Sequence, residues 1–187
     1  ISGASGVILG IRMLEVLRAL KIETHLVITK AAEQTIQHET SYQVQDVLGL
    51  AYQYYSINNL GAAIASGSQA SMGMAVVPCS IKSLSAIANS YTADLLSRAA
   101  DVTLKEGRPL LLAVRETPLH AGHLRLMQLA VQAGAILFPP VPAFYTHPKT
   151  VDEIINNTVG RILDRMGIEN DLFQAWDPDL PSTEKPE

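Results

Sequence analysis

Ile1-Ser2-Gly3-Ala4-Ser5-Gly6, running straight into Val7-Ile8-Leu9, is the stretch that decides the fold. Ile1 reads as the end of a strand, residues 2–6 as an elbow of small side chains, and the apolar run beyond as the first turn of a helix. Small residues let backbone N–H groups at a helix start approach an anion, so the elbow is either a phosphate cradle or a plain tight turn. The G-x-G-x-x-G spacing of a dinucleotide fingerprint is absent. With no Met ahead of it, the elbow also suggests that a few upstream residues lie outside this numbering.

Outward from the elbow, residues 7–21 set Arg12, Glu15, Arg18 and Lys21 opposite Ile8, Ile11, Leu14 and Leu17, the pattern of an amphipathic helix. A short buried strand is expected over 24–29 and a second helix over 30–39. Residues 40–72 are irregular and read as a loop or lid containing Tyr52, Tyr54, Tyr55 and the small run Ala65-Ser66-Gly67-Ser68. Further apolar runs at 74–78, 109–114 and 135–138 alternate with helical patterns. That alternation predicts an α/β fold, a Rossmann-like three-layer αβα sandwich with a mainly parallel sheet. Thr117-Pro118 is expected to open one helix; Thr150 and Glu153 have capping-box spacing for the last, which Gly167 can end.

The 187 residues are 48% hydrophobic and 17% charged, enough for one core, so a single domain is expected over 1–176 with 177–187 as a tail. A net charge of −4 with scattered Lys and Arg leaves no footprint for nucleic acid or an acidic membrane, and a small molecule is the expected partner. Cys79 is the only cysteine, which excludes an internal disulfide and predicts a reducing compartment, the cytoplasm. No run of apolar residues approaches a membrane span, and no Cys/His spacing matches a structural zinc site.

In a parallel sheet of this kind ligands lie beyond the carboxyl ends of the strands, which selects residues 2–6, Thr29-Lys30, residues 79–83 and Arg115-Glu116. Ser80 and Ser83 either cap a helix or join a phosphate site. Arg115 and Glu116 are an ion pair or an anion ligand beside a proton carrier. Asp94, Arg98, Asp101 and Lys105 share one helical face as a salt-bridge ladder, or their cations reach a phosphate across a subunit interface. His120 and His123 lack a third metal ligand, and Phe144-Tyr145 follows a stiff Pro-rich connection suited to core packing.

On residues 2–6, 65–68, Pro78-Cys79-Ser80, 97–106, 115–119 and Pro142-Ala143-Phe144-Tyr145, the chain resembles the UbiX type flavin prenyltransferases, within the flavin-binding cysteine decarboxylase-like superfamily. The resemblance implies transfer of dimethylallyl from dimethylallyl monophosphate to N5 and C6 of reduced FMN, without a metal. The product, prenylated FMN, would serve a UbiD type decarboxylase, most often in ubiquinone biosynthesis. It further implies a homo-oligomer, often a dodecamer.

Carried onto this sequence, the resemblance puts Gly3, Ala4, Ser5, Thr29, Ser80, Ile81, Lys82, Ser83 and Arg115 at flavin-contacting positions. Tyr145 and Arg161 fall at dimethylallyl phosphate positions, with Lys105 and Glu116 near the same phosphate and Ser66 and Arg98 as further substrate-side candidates. Glu39 matches the acid that takes part in ring closure; Ser5 and Glu116 are the other proton carriers, and Tyr145 and Trp176 are candidate walls for the allyl cation. Ile81 departs from the hydroxyl residue common in the family, leaving only a backbone contact there. The alternatives are an FMN-dependent cysteine decarboxylase of the phosphopantothenoylcysteine type, whose Pro-x-Met-Asn-x-x-Met-Trp segment is absent, and a non-catalytic flavin-binding subunit.

Overall fold

The structure is a computed structural model, and it describes residues 1–173. Residues 1–140 form one compact unit and, among the described residues, 141–173 belong to a second. In the first unit β1 (His25–Val27) pairs in parallel with β2 (Gln53–Tyr55), and β3 (Met74–Cys79), β4 (Leu110–Val114) and β5 (Ile136–Leu137) form a parallel set in that order. Ile1 and Ser2 join the two sets. The Ile1 carbonyl accepts from the Thr29 N–H at 3.1 Å, and the Ser2 N–H donates to the Pro78 carbonyl at 3.2 Å. With that segment counted as the first strand, the spatial order is third, second, first, fourth, fifth, sixth. This is the Rossmann order, and its switch point falls between the elbow and the end of β3.

Alternate residues of a strand face opposite sides, so the sheet separates two cores. Leu26 joins Val7, Ile11, Leu14, Ala32 and Ile36 from α1 (Val7–Ala19) and α2 (Lys30–Glu39). Val27 joins the other core with Leu84, Leu95, Leu110, Leu112 and Ala130, under α4 (Ile81–Ala88), α5 (Leu95–Lys105) and α6 (Ala121–Gln132). The three-layer architecture expected from the alternation is the one observed.

Two local expectations are corrected. Residues 40–72 are not merely a loop: they hold α3 (Val44–Leu48), β2 and a short 3-10 turn over Ala63–Ala65. The strand gave no apolar signal because it is three residues long, at a sheet edge, with none of its side chains buried. Thr117-Pro118 does not open α6; the helix starts three residues later, where the His120 ring Nδ1 accepts from the Gly122 N–H at 3.0 Å. A ring nitrogen standing in for the usual Ser, Thr, Asp or Asn hid that cap.

The second unit carries α7 (Val151–Arg165), where Thr150 is the expected cap but the reciprocal bond of a capping box falls one residue early. The Thr150 hydroxyl accepts from the Glu153 N–H at 3.2 Å, while the Glu153 carboxylate reaches back to the Lys149 N–H at 2.6 Å. Gly167, at φ 75°, ends the helix in the left-handed conformation glycine tolerates. Replacing Thr150 with alanine should lower the unfolding free energy by about 1 kcal/mol, read from the denaturant midpoint, and an unchanged midpoint would refute the cap's contribution. Among the described residues no helix is long and apolar enough to cross a membrane.

Candidate functional site

The switch point is built around two chain segments tied by one hydroxyl. Ser2 Oγ donates to the Pro78 carbonyl at 2.9 Å and accepts from the Ser80 N–H at 2.8 Å, locking the elbow to the start of α4. Sequence reasoning placed Ser2 on the rim without giving its side chain a role; a hydroxyl at the end of an otherwise buried strand was the available signal. Ser80 Oγ accepts from the Ser83 N–H at 3.3 Å and donates to Ser83 Oγ at 3.2 Å, so Ser80 caps α4 and Ser83 is its partner in the first turn. Thr29 Oγ1 likewise caps α2, accepting from the Ala32 N–H at 3.2 Å. Two helix N-termini therefore converge on one rim, each with partly positive N–H ends.

Charged groups on that rim suit an anion. Lys82, in the first turn of α4, and Arg115, whose N–H donates to the Cys79 carbonyl at 3.1 Å, have no side-chain partner among the described residues. Glu116 stands next to Arg115 and accepts from its neighbour's N–H at Thr117, 3.0 Å, without pairing with Arg115. The structural ion pair considered for these two residues does not form. Cys79 is buried, and burial pushes its thiol up to about 12, so it presents no thiolate near neutral pH.

The elbow itself holds a carboxylate. Gly6 caps α1 at φ 90°, and its N–H donates to Glu39 Oε2 at 2.8 Å, with the Val7 N–H 3.4 Å from the same oxygen. Glu39 is the last residue of α2, 33 positions away in sequence from Gly6. The anion at this helix start is thus a side chain of the protein, and Ser5 lies exposed one residue before the capping glycine.

A second cluster lies at the other edge of the sheet. β3 and β4 are parallel from Met74 opposite Leu110 to Cys79 opposite Val114, and Ser80 and Arg115 follow their carboxyl ends. Ser66, Lys105 and Arg108 precede their amino ends, across roughly 16 Å of strand at ~3.3 Å per residue. There Arg98 Nε donates to the Ala65 carbonyl at 3.3 Å, and Arg108 donates to the carbonyls of Gln69 at 2.6 Å and Gly67 at 2.9 Å. Lys105 Nζ pairs with Glu106 Oε1 at 2.8 Å.

The expected ladder is reduced to one pair, Arg98 with Asp101 at 3.4 Å, because Asp94 is the cap of α5 and Lys105 turns to its neighbour. Within one chain, then, Ser5, Glu39, Thr29, Ser80, Lys82, Arg115 and Glu116 gather at the carboxyl edge, and Ser66, Arg98 and Lys105 do not join them. Arg108 and Glu106 escaped sequence reasoning because their partners are backbone atoms and a sequence neighbour.

In the second unit Arg161 is exposed on α7, with its guanidinium carbon 5.8 Å from the Phe173 ring centroid. Asn170 donates to the Gly160 carbonyl at 3.1 Å, folding residues 168–173 back along the helix. Tyr145 is half-buried in a turn, and Phe144 is 67% exposed, so that aromatic pair is not core packing. Trp176 and the tail lie outside the described residues. Among the described residues no group of three His, Cys, Asp or Glu side chains is placed to hold a metal ion.

A family model described as Flavoprotein matches residues 1–162. The chain is 55% identical to a flavin prenyltransferase UbiX of Thauera aromatica, covering 94% of this chain and 90% of that one. It superposes with TM-score 0.93 and 48% identity on a crystal structure of AnUbiX (PadA1) in complex with FMN and dimethylallyl pyrophosphate, over 94% of each chain. A dodecameric FMN-dependent UbiX-like decarboxylase from Escherichia coli O157:H7 superposes with TM-score 0.91 and 45% identity, over 94% of this chain and 95% of that one.

Proposed function

The chain belongs to the flavoprotein family and, within it, to the flavin prenyltransferases, and from that premise we propose that it transfers a dimethylallyl group from dimethylallyl monophosphate to N5 and C6 of reduced FMN. The observation that carries the reading is the switch point itself. Two capped helix starts, with Lys82 and Arg115 that have no side-chain partner among the described residues, suit a phosphate monoester, and a carboxylate stands ready on the elbow beside them. Simple flavin storage needs no such carboxylate. A cysteine decarboxylase is not favoured, since the chain lacks the Pro-x-Met-Asn segment and is about half identical to prenyltransferases.

Reduced FMN supplies the nucleophilic ring atoms. On the protein side, Gly3, Ala4, Ser5, Thr29, Ser80, Ile81, Lys82, Ser83 and Arg115 hold the flavin, Ile81 through its backbone alone. The bond that breaks is the allylic C–O bond, which leaves positive charge on the allyl group and negative charge on the departing phosphate. Arg161 and Lys105 neutralise the phosphate, Tyr145 walls the cation, and Ser5 or Glu116 gives the phosphate a proton. Closure onto C6 consumes the remaining C=C bond of the allyl group, which takes up one proton at its other carbon, while Glu39 accepts the proton lost from C6, so the second step is an isomerisation.

Lys105, Ser66 and Arg98 lie at the far edge of the sheet from this rim, so their part in the site is assigned to a neighbouring copy in a homo-oligomer; a dodecameric relative supports that assembly. The family match over residues 1–162, which runs from the first compact unit into the second, supports a single functional domain over 1–176. The recipient of the product is a UbiD type decarboxylase. A sole cysteine held as a thiol fits a reducing compartment such as the cytoplasm.

The test is anaerobic incubation with reduced FMN and dimethylallyl monophosphate, followed by the mass of the extracted flavin. Gain of a five-carbon unit is expected, and flavin of unchanged mass defeats the reading.

A further inference from the structure

The Lys105–Glu106 pair is more than two neighbouring surface charges. An added Cβ at Gly67 would lie 2.1 Å from Glu106 Oε1 and 3.0 Å from Lys105 Nζ, so the ion pair is seated directly on the Gly67 backbone. Arg108 grips that backbone, with one guanidinium nitrogen on the Gly67 carbonyl at 2.9 Å and the other on Gln69 at 2.6 Å. The Glu106 carboxyl is held below its ordinary range, first by the hydrogen bond and charge of Lys105 and then by Arg108. Lys105 Nζ is thereby aimed and neutralised at 2.8 Å, although its side chain remains half exposed.

We propose that Glu106 is the resting counter-ion of Lys105, seated by Gly67 and Arg108, and that the phosphate of the allylic substrate displaces it. The inference rests on Lys105 meeting that phosphate in the reading above. A carboxylate next to the only ammonium of this cluster competes with a phosphate dianion twice, once for the hydrogen bond and once through like-charge repulsion. It weakens substrate binding, and after the C–O bond breaks it re-pairs with Lys105 and speeds departure of inorganic phosphate. Glu106 is in this sense a positioning and specificity residue, acting through Lys105 without touching the flavin.

Glu106→Gln keeps an oxygen that can accept from Lys105 and removes the charge. The experiment is calorimetric titration of inorganic phosphate into the assembled, FMN-loaded protein, independent of turnover. The Kd for phosphate should fall about three- to tenfold in Glu106→Gln, a range set by one charge within several ångströms in screened surroundings. In a Lys105→Gln background the same substitution should give a clearly smaller gain, because only the direct repulsion is then relieved and the competition for Lys105 is gone. An unchanged Kd in the single variant, or an equal gain in both backgrounds, overturns the proposal. A wild-type protein that binds phosphate with this dependence yet transfers no prenyl group would instead defeat the functional reading alone.

Discussion

Glu39→Gln is expected to retain FMN and slow loss of the flavin C6 proton by about 10²- to 10⁴-fold, the usual contribution of a positioned general base. The amide oxygen can still accept from the Gly6 N–H at the 2.8 Å position of Glu39 Oε2, so the side chain stays where it is. What disappears is the capacity to take a proton and one negative charge at the start of α1, the latter worth about 0.3–1 kcal/mol of stability. Flavin that has gained the five-carbon unit but keeps its C6 proton should accumulate. Mass cannot separate it from product, because ring closure is an isomerisation, so the readout is the proton NMR spectrum of the extracted flavin. Ring closure at the wild-type rate would remove Glu39 from the chemistry.

Gly10→Ala should destabilise the protein by about 2 kcal/mol even though alanine is the better helix former. Alanine in a helix interior gains about 1 kcal/mol over glycine. Against that, a Cβ at Gly10 would sit 2.3 Å from the Val77 carbonyl oxygen and 3.0 Å from Ile1 Cγ1. The first is backbone of a buried strand and cannot swing aside as a side-chain tip can, so overpacking at the upper end of about 1–3 kcal/mol, or beyond it, wins. For a chain of this length the midpoint of thermal unfolding should fall by roughly 4–8 °C. Flavin retention should fall with it, since α1 carries the elbow against β3. A midpoint equal to or above wild type would show that the helix can lift off the sheet without cost.

Much of the fold was legible because its signals are local. The helix over 30–39 and the Thr150 cap were read from side chains within one or two turns of the boundary they set. The apolar runs at 74–78 and 109–114 became β3 and β4 because both faces of those strands are covered. β2 was not legible, since an edge strand of three residues, Gln53, Tyr54 and Tyr55, with its tyrosines only partly buried, is too short to show an apolar alternation. His120 as a cap was missed for want of a usual capping residue.

The site divided along the same line. Ser80, Ser83, Thr29 and Arg115 could be chosen from sequence because the end of an apolar run marks the edge of a parallel sheet. Their grouping at one end follows from strand direction alone. The occupant of the elbow could not be chosen that way: small residues announce exposed N–H groups and say nothing about which anion meets them.

By itself the sequence determined an α/β chain with a parallel sheet, a functional rim beyond the strand ends, no disulfide and a family resemblance carried by blocks along its length. Only the tertiary structure decided that Glu39 docks on Gly6 and Val7, that Ser2 ties the elbow to Ser80, and that Lys105 and Ser66 lie a strand's length from Arg115. The physical reason is range. Periodicity and caps act over a few residues, whereas the meeting of Glu39 with a free N–H depends on parallel strands and crossovers that carry distant segments to one edge and leave others at the opposite one.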